Sequence, residues 1–392
     1  MPNAEPQNRT ARHLKVTQSA TRQRATGAPR VEYSNASIAL ASQIKRWGLE
    51  LGFAEVGICP PEPERHAQYL NAWLKQQYHG EMDYMAEREA LRADPERLFP
   101  GVRSVIAARM DYLPAGVETL TLLDHSETAY IARYALGRDY HKTLRRRLAK
   151  LASYIRDYHR PDDSGTMRPF VDSAPVLERG CAERAGLGWI GKNTMLINSR
   201  AGSWFFLGEL FTQLALPFDA PTEQNHCGSC TACLDICPTK AFSGPFELDA
   251  RKCISYLTIE LKGAIPLQYR KAIGNRIFGC DDCNAVCPWN KFARPTDEQD
   301  FQPRHGLDNA ALLDLFLWDE ATFAKRTEGS PIRRIGYQRW LRNIAVALGN
   351  GKRSEKVLDA LRARRDHSPL VREHVDWALE ELEQASARGL RT

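Results

Sequence analysis

The sequence predicts an α/β domain, a small cysteine-rich module and an all-α C-terminal domain. Three observations carry this. Strand-like runs alternate with amphipathic helices over about 180 residues from Ser37. Eight cysteines then crowd between Cys227 and Cys287. Beyond Pro288 the apolar residues recur at helical spacing. The expected boundaries are 1–35 for a basic tail, 36–217 for the α/β domain, 218–297 for the cysteine module and 298–392 for the helical domain. A chain of 392 residues exceeds one ordinary core, so more than one domain is expected.

The first thirty residues hold Arg9, Arg12, Lys15, Arg22, Arg24 and Arg30 against the single acid Glu5. They lack an apolar segment, so they are no secretory signal, and a disordered tail is expected. Ser37 is placed to cap a helix with Ile38, Ala41, Ile44, Trp47 and Leu51 on one face. Phe53–Cys59 reads as a strand stopped by Pro60-Pro61. Residues 62–85 read as helical, anchored by Leu70, Trp73 and Leu74. Ser104–Met110 is a second strand, and 114–127 a loop or weak helix. A long helix follows Tyr134–Lys142, with Leu144, Leu148, Leu151 and Ile155 in one stripe. Arg145, Arg146, Arg147 and Lys150 lie off that stripe, as a solvated face or a phosphate-contacting patch. Met167–Asp172 is a strand, Val176–Ala185 a short helix, and Thr194–Asn198 with Ser203–Leu207 a hairpin. Pro217 and Pro221 mark a linker. Near the C-terminus, Arg339–Gly349, Val357–Arg364 and Val371–Gln384 are helices. Ser-Pro pairs at Ser330 and Ser368 precede two Trp-bearing helices, a pattern of HEAT-like repeats. Arg339 and Arg342, three apart, share a face there that is expected to contact a polyanion, with Trp340, Ile344 and Leu348 turned to the core.

The cysteines run Cys227-x2-Cys230-x2-Cys233-x3-Cys237-Pro238, then Cys253, then Cys280-x2-Cys283-x3-Cys287-Pro288. The first run has the bacterial ferredoxin spacing for a [4Fe–4S] cluster, in which the last cysteine ligates the other cluster. The second run lacks a first thiolate, which Cys253 most simply supplies. One cluster is therefore assigned Cys227, Cys230, Cys233 and Cys287, and the other Cys237, Cys253, Cys280 and Cys283. This makes the module ferredoxin-like. A zinc ribbon would need neither the third cysteine nor the Cys-Pro step. Ten cysteines in 392 residues is too sparse for a disulfide scaffold. Cys59 and Cys181 read as packing.

Two motifs fail on context. Gly186-Leu-Gly188-Trp-Ile-Gly191 matches a dinucleotide fingerprint and, with Lys192, nearly a P-loop, but a helix precedes it and a strand-like run follows. Asp139-Tyr-His141 is too short to define a site unaided.

Several strings together resemble the epoxyqueuosine reductases. They are Tyr134-Ala-Leu-Gly-Arg-Asp-Tyr-His-Lys142, Phe170-Val-Asp-Ser-Ala-Pro-Val-Leu-Glu-Arg179, Ala182-Glu-Arg-Ala-Gly-Leu-Gly-Trp-Ile-Gly-Lys192, Arg251-Lys-Cys-Ile-Ser-Tyr-Leu-Thr258, Gly274-Asn-Arg-Ile-Phe-Gly-Cys280 and Arg333-Arg-Ile-Gly-Tyr-Gln-Arg-Trp-Leu-Arg-Asn343. The resemblance spans about residues 37 to 385. It implies that the α/β domain binds cobalamin and that cob(I)alamin, fed by the two clusters, reduces the epoxide of epoxyqueuosine at the tRNA wobble position. It implies Asp172 as proton donor, and Arg92, Asp172, Leu196, Leu207 and Ser255 as cobalamin contacts. The loop Cys280–Cys283 would bring its cluster close to the corrin. The string from Asp139 lacks the glycine of the usual cobalamin-binding motif, so a base-off cofactor without a histidine ligand is expected. Burial of Asp172 would raise its pKa towards neutrality, whereas its place before Val176 would also suit a helix cap.

The rival readings are a reductive dehalogenase, a ferredoxin-like electron carrier and an RNA-binding scaffold stapled by clusters. A dehalogenase usually has a twin-arginine signal, absent from residues 1–35, and has no use for basic C-terminal helices. A net charge of +6 permits a tRNA partner. No run of 18 apolar residues occurs, so no membrane span is expected. Unpaired thiols predict a reducing, cytoplasmic setting, with an external electron donor and a monomeric enzyme.

Overall fold

The computed structural model describes residues 33–117, 119–158 and 166–389. The expectation for the basic tail falls almost wholly outside them. In chain order the strands are β1 Glu55–Cys59, β2 Ser104–Asp111, β3 Tyr130–Ile131, β4 Met167–Phe170, β5 Trp189–Ile190, β6 Leu196–Ile197, β7 Phe205–Thr212, β8 Phe242–Gly244, β9 Glu247–Leu248 and β10 Arg276–Phe278.

The first domain is a three-layer sandwich around a four-stranded sheet of order β1-β2-β7-β4. Every pairing in it is antiparallel. The alternation of helices and strands was expected to give an α/β domain. It gives the layers, but not the parallel strands that simple crossovers produce. Strand β2 is apolar on both faces because both are covered. Ile106, Ala108 and Met110 meet Leu40 and Ile44 of the helix Asn35–Glu50, together with Leu144, Leu148 and Leu151 of the helix Tyr140–Tyr158. Val105 and Ala107 meet Cys181 and Ala182 of the helix Glu178–Arg184.

Local differences have local causes. Ser34, not Ser37, caps the first helix, accepting from the Ser37 N–H at 3.1 Å. The buried face then falls on Leu40, Ala41, Ile44 and Gly48, and Ile38 is exposed. Gly48 suits that face because a Cβ there would strike Val56. The expected hairpin around 199–202 does not form. Leu196–Ile197 pairs with β5, while β7 pairs with β2 and β4 inside the main sheet. Burial of all eight β7 residues except Leu207 selects a central position over a hairpin edge.

The domains interlock. Strand β3, inside the first domain's sequence, pairs in parallel with β10, which lies between Cys253 and Cys280. Ala129, Ile131, Ala135 and Leu136 share one core with Ile277, Phe278, Trp340, Leu341 and Val375. Phe301 does the reverse and packs on Phe206, ring centroids 5.1 Å apart. Neither the boundary at 217 nor that at 297 is thus a boundary between cores.

Three longer helices, Gly336–Gly349, Glu355–Arg364 and Pro369–Gly389, close the chain. Trp340, Ile344 and Leu348 face the core as expected. The expectation for Arg342 is overturned. Arg342 is fully buried. Its Nη1 donates to the carbonyls of Leu261 (2.8 Å) and Gly263 (2.6 Å), and its Nη2 to that of Leu257 (2.8 Å). Arg339 donates to the carbonyls of Ile335, Ile259 and Arg334 at 2.6–2.9 Å. Both guanidinium groups tie this helix to the helix Ile254–Ile259, and Arg342 has no surface to offer a phosphate. Arg342→Met would leave three carbonyls without their donor, so a loss of roughly 3–5 kcal/mol in denaturant unfolding is expected. A variant as stable as the parent would refute the bracing role.

Candidate active site

Asp172 follows β4 and adopts φ +43°, a left-handed conformation uncommon for a side-chain-bearing residue. Three groups fix it there. Its backbone N–H donates to the Glu178 carboxyl. Its Oδ2 accepts from Tyr140 Oη at 2.8 Å and lies 2.9 Å from His141 Nε2. Tyr140 and His141 open the helix Tyr140–Tyr158, and the Tyr140 ring stacks on Phe206 with centroids 4.0 Å apart. Behind His141, its Nδ1 lies 2.7 Å from Asp139 Oδ1, and Asp139 Oδ2 accepts from Arg334 Nη2 at 2.9 Å. A relay therefore runs from Arg334 through Asp139 and His141 to Asp172.

This geometry settles two expectations about Asp172. It caps no helix, because the helix Glu178–Arg184 begins after Leu177 and has no side-chain cap. Its pKa is not raised. Burial acts in that direction, but hydrogen bonds from His141 and Tyr140 and the charges of His141 and Arg334 outweigh it and hold the carboxyl below the usual range. Although 52% of the side chain is open, the surrounding walls still remove enough water for burial to act against ionisation. For His141, burial pulls the pKa down, but Asp139 and Asp172 push it up further, so the net shift is upward. The labile proton thus rests on His141, one hydrogen bond behind Asp172. Sequence reasoning dismissed Asp139-Tyr-His141. The signal was its spacing at a helix start, where consecutive side chains can converge on one neighbouring loop.

Arg92 is buried, and its Nη1 donates to the Tyr84 and Met85 carbonyls. Burial raises Tyr84 to about 12, with the carboxylates of Glu260 and Asp172 adding to it and Arg92 opposing. Arg92, Tyr84, Asp172 and Glu260 therefore share one electrostatic neighbourhood. Leu196 and Leu207 belong to the apolar layer on the Glu178 side of the sheet. Ser255 lies at the cluster loop, its Oγ 3.7 Å from where a Cβ of Gly279 would stand. Gly279, at φ +71°, must be glycine, since that Cβ would sit 2.6 Å from Ala132 Cβ.

The structure brings the eight cysteines of the module near one another. Cys227, Cys230, Cys233 and Cys287 line one cavity with Lys192, Asn193, His226 and Trp289. Cys253, Cys237 and Cys283 lie within electrostatic reach of one another, and Cys280 of Cys253. Among the described residues no three ligands converge tightly enough for a single ion. A cubane holds its thiolates further apart than one ion does, so the sets fit clusters. The glycine fingerprint has a helix before it and β5 within it, so it cradles no nucleotide.

Residues 226–290 match the family model of a 4Fe–4S double cluster binding domain, and this chain carries two [4Fe–4S] clusters. Residues 92–173 match the family model of the epoxyqueuosine reductase QueG. The chain is 60% identical over 341 residues to the epoxyqueuosine reductase of Pseudomonas aeruginosa, covering 87% of this chain and 94% of that one. It is 53% identical over 349 residues to that of Escherichia coli, covering 89% and 91%. Among solved structures it is similar to an epoxyqueuosine reductase with an epoxyqueuosine-modified tRNA-Tyr stem loop, at TM-score 0.79, 27% identity and coverage of 88% and 90%. It is also similar to the Bacillus subtilis enzyme with its catalytic Asp loop swung out, at TM-score 0.77 and 27% identity. With relatives matched over nearly their whole length, the chain belongs to the epoxyqueuosine reductase family.

Proposed function

We infer that this chain reduces the epoxide of epoxyqueuosine in tRNA to the alkene of queuosine, with release of water. The conversion consumes two electrons and two protons. Cobalamin, when bound, supplies the reducing chemistry at the substrate carbon, and the two clusters supply its electrons. The observation that carries the reading is Asp172, held by Tyr140 and His141 in the same neighbourhood as Arg92. His141 gives its proton to Asp172, which passes it to the epoxide oxygen. Both His141 nitrogens face carboxylates, so the ring would have no lone pair to offer a bound cofactor and serves the proton relay instead. Arg92, Leu196, Leu207 and Ser255 would hold the corrin, with Arg92 presenting a cation to its polar side chains. Cys227, Cys230, Cys233 and Cys287 hold the outer cluster in this reading, and Cys237, Cys253, Cys280 and Cys283 the inner one beside Ser255. A monomer in a reducing cytoplasm, served by an external electron donor, suits these parts.

The test is anaerobic reconstitution with cobalamin and a chemical reductant on tRNA carrying the epoxide, followed by nucleoside analysis. Queuosine is expected; unchanged epoxide with clusters and cobalamin loaded would overturn the reading. No specific observation favours a dehalogenase or a simple carrier.

With Arg342 buried, phosphate contacts fall to exposed cations such as Arg333. Arg333→Glu is expected to weaken tRNA binding and reduce the slope of log affinity against log salt by about one unit. An unchanged slope would remove Arg333 from the interface.

A further inference from the structure

Behind Asp172 lies a second group of acids that proton donation does not use. Glu209 stands in the middle of β7 and is fully buried. It projects into the apolar layer that holds Cys59, Phe170, Cys181 and Phe211. Neither of its carboxyl oxygens meets a donor among the described residues. Its facing partner is the Glu178 carboxyl, whose Oε1 accepts the Asp172 N–H. Two ionised carboxylates there, the fully buried Glu209 without any donor and the half-buried Glu178 with only the Asp172 N–H, would repel one another with little compensation.

We propose that Glu178 and Glu209 form a protonated acid pair that latches the Asp172 turn, making Glu178 a positioning residue for the proton donor. The proton lets the pair hydrogen-bond internally and still leaves an oxygen for the Asp172 N–H. It also spares Asp172 a third negative neighbour. The groups facing the pair are consistent with this. Glu178 meets Glu209, Asp172, His141 and Arg179; Glu209 meets Glu178, Cys181 and Asp172. Burial pushes Glu178 up to about 8, with the Asp172 charge adding to it, and Glu209 is driven up by the same cause. Both are raised acids, so a proton stays on the pair at low and neutral pH, and the latch is lost only when the last one leaves at alkaline pH. The positive φ of Asp172 makes such a restraint necessary, because the unrestrained turn would relax away from it.

The inference rests on Asp172 as proton donor, and its test separates the two. In the full-length protein, infrared spectroscopy at pH 7 is expected to show a protonated carboxyl stretch that is lost only at alkaline pH. Glu209→Gln should remove or shift it. Amide exchange at Asp172 should be slow in the parent and in Glu178→Gln, whose amide oxygen still accepts, and fast in Glu178→Leu. Turnover should fall about a hundredfold in Glu178→Leu with cluster content unchanged, and Glu178→Gln should recover most of that loss. No protonated band at pH 7, or Asp172 exchange unaltered in Glu178→Leu, would overturn the latch. If Asp172→Asn keeps full turnover, the proton-donor reading fails instead, whatever the exchange and infrared results show.

Discussion

Asp172→Asn is expected to keep both clusters and cobalamin and to lose turnover by about a hundred- to ten-thousandfold, the usual contribution of a positioned acid. The amide is nearly isosteric and still accepts from Tyr140, so the turn should persist. It cannot pass on a proton from His141. The pH profile adds a sign. His141 is raised above its ordinary value of about 6.5, so its proton is present below that raised value and is lost as pH climbs through it. Single-turnover rates of the parent should therefore fall on the alkaline side. A variant that melts early yet reduces the epoxide at the parent's rate would reduce Asp172 to a structural residue.

Cys253→Ser should be as damaging. Cys253 sits at the N-terminal boundary of the helix Ile254–Ile259, apart from both cysteine runs. Its assignment as a ligand came from completing the second set. Serine is a hard donor that suits cubane iron poorly. Iron should fall from about eight to about four per chain, one reduced centre should vanish from the electron paramagnetic resonance spectrum, and turnover should cease. A variant that keeps about eight irons would exclude Cys253 as a ligand; a parent rich in zinc and free of iron would undo both clusters.

What could be read in the sequence divides by the range of the interaction. The cavity shared by Cys227, Cys230, Cys233 and Cys287 was legible because short loops fix thiolate positions, so the spacing from Cys227 to Cys237 already encodes geometry. The helix stripe Leu144–Ile155 was legible because periodicity is local. Asp139 and His141 were missed because their meaning lies in Asp172, about thirty residues away across a strand end. Arg342 was misread for a related reason. Charge was counted, but the three carbonyls that claim it come from a segment about eighty residues earlier. The Asp172 pKa was expected to follow burial, whereas two donors on the next helix decide its direction. The antiparallel sheet was hidden because helix–strand alternation does not state which way each strand returns.

The pairing of β3 with β10 bears on how the chain is made. Tyr130 must wait for Arg276, about 150 residues downstream, before its strand has a partner. At ribosomal rates of about 5–20 residues per second, that is roughly 7–30 s. During that interval Ala129, Ile131 and Leu136 have no core to enter, while Cys227 to Cys253 emerge; Cys280, Cys283 and Cys287 follow Arg276. Each proposed ligand set takes at least one cysteine from beyond β10, so neither cluster can be completed before the partner of β3 has been made.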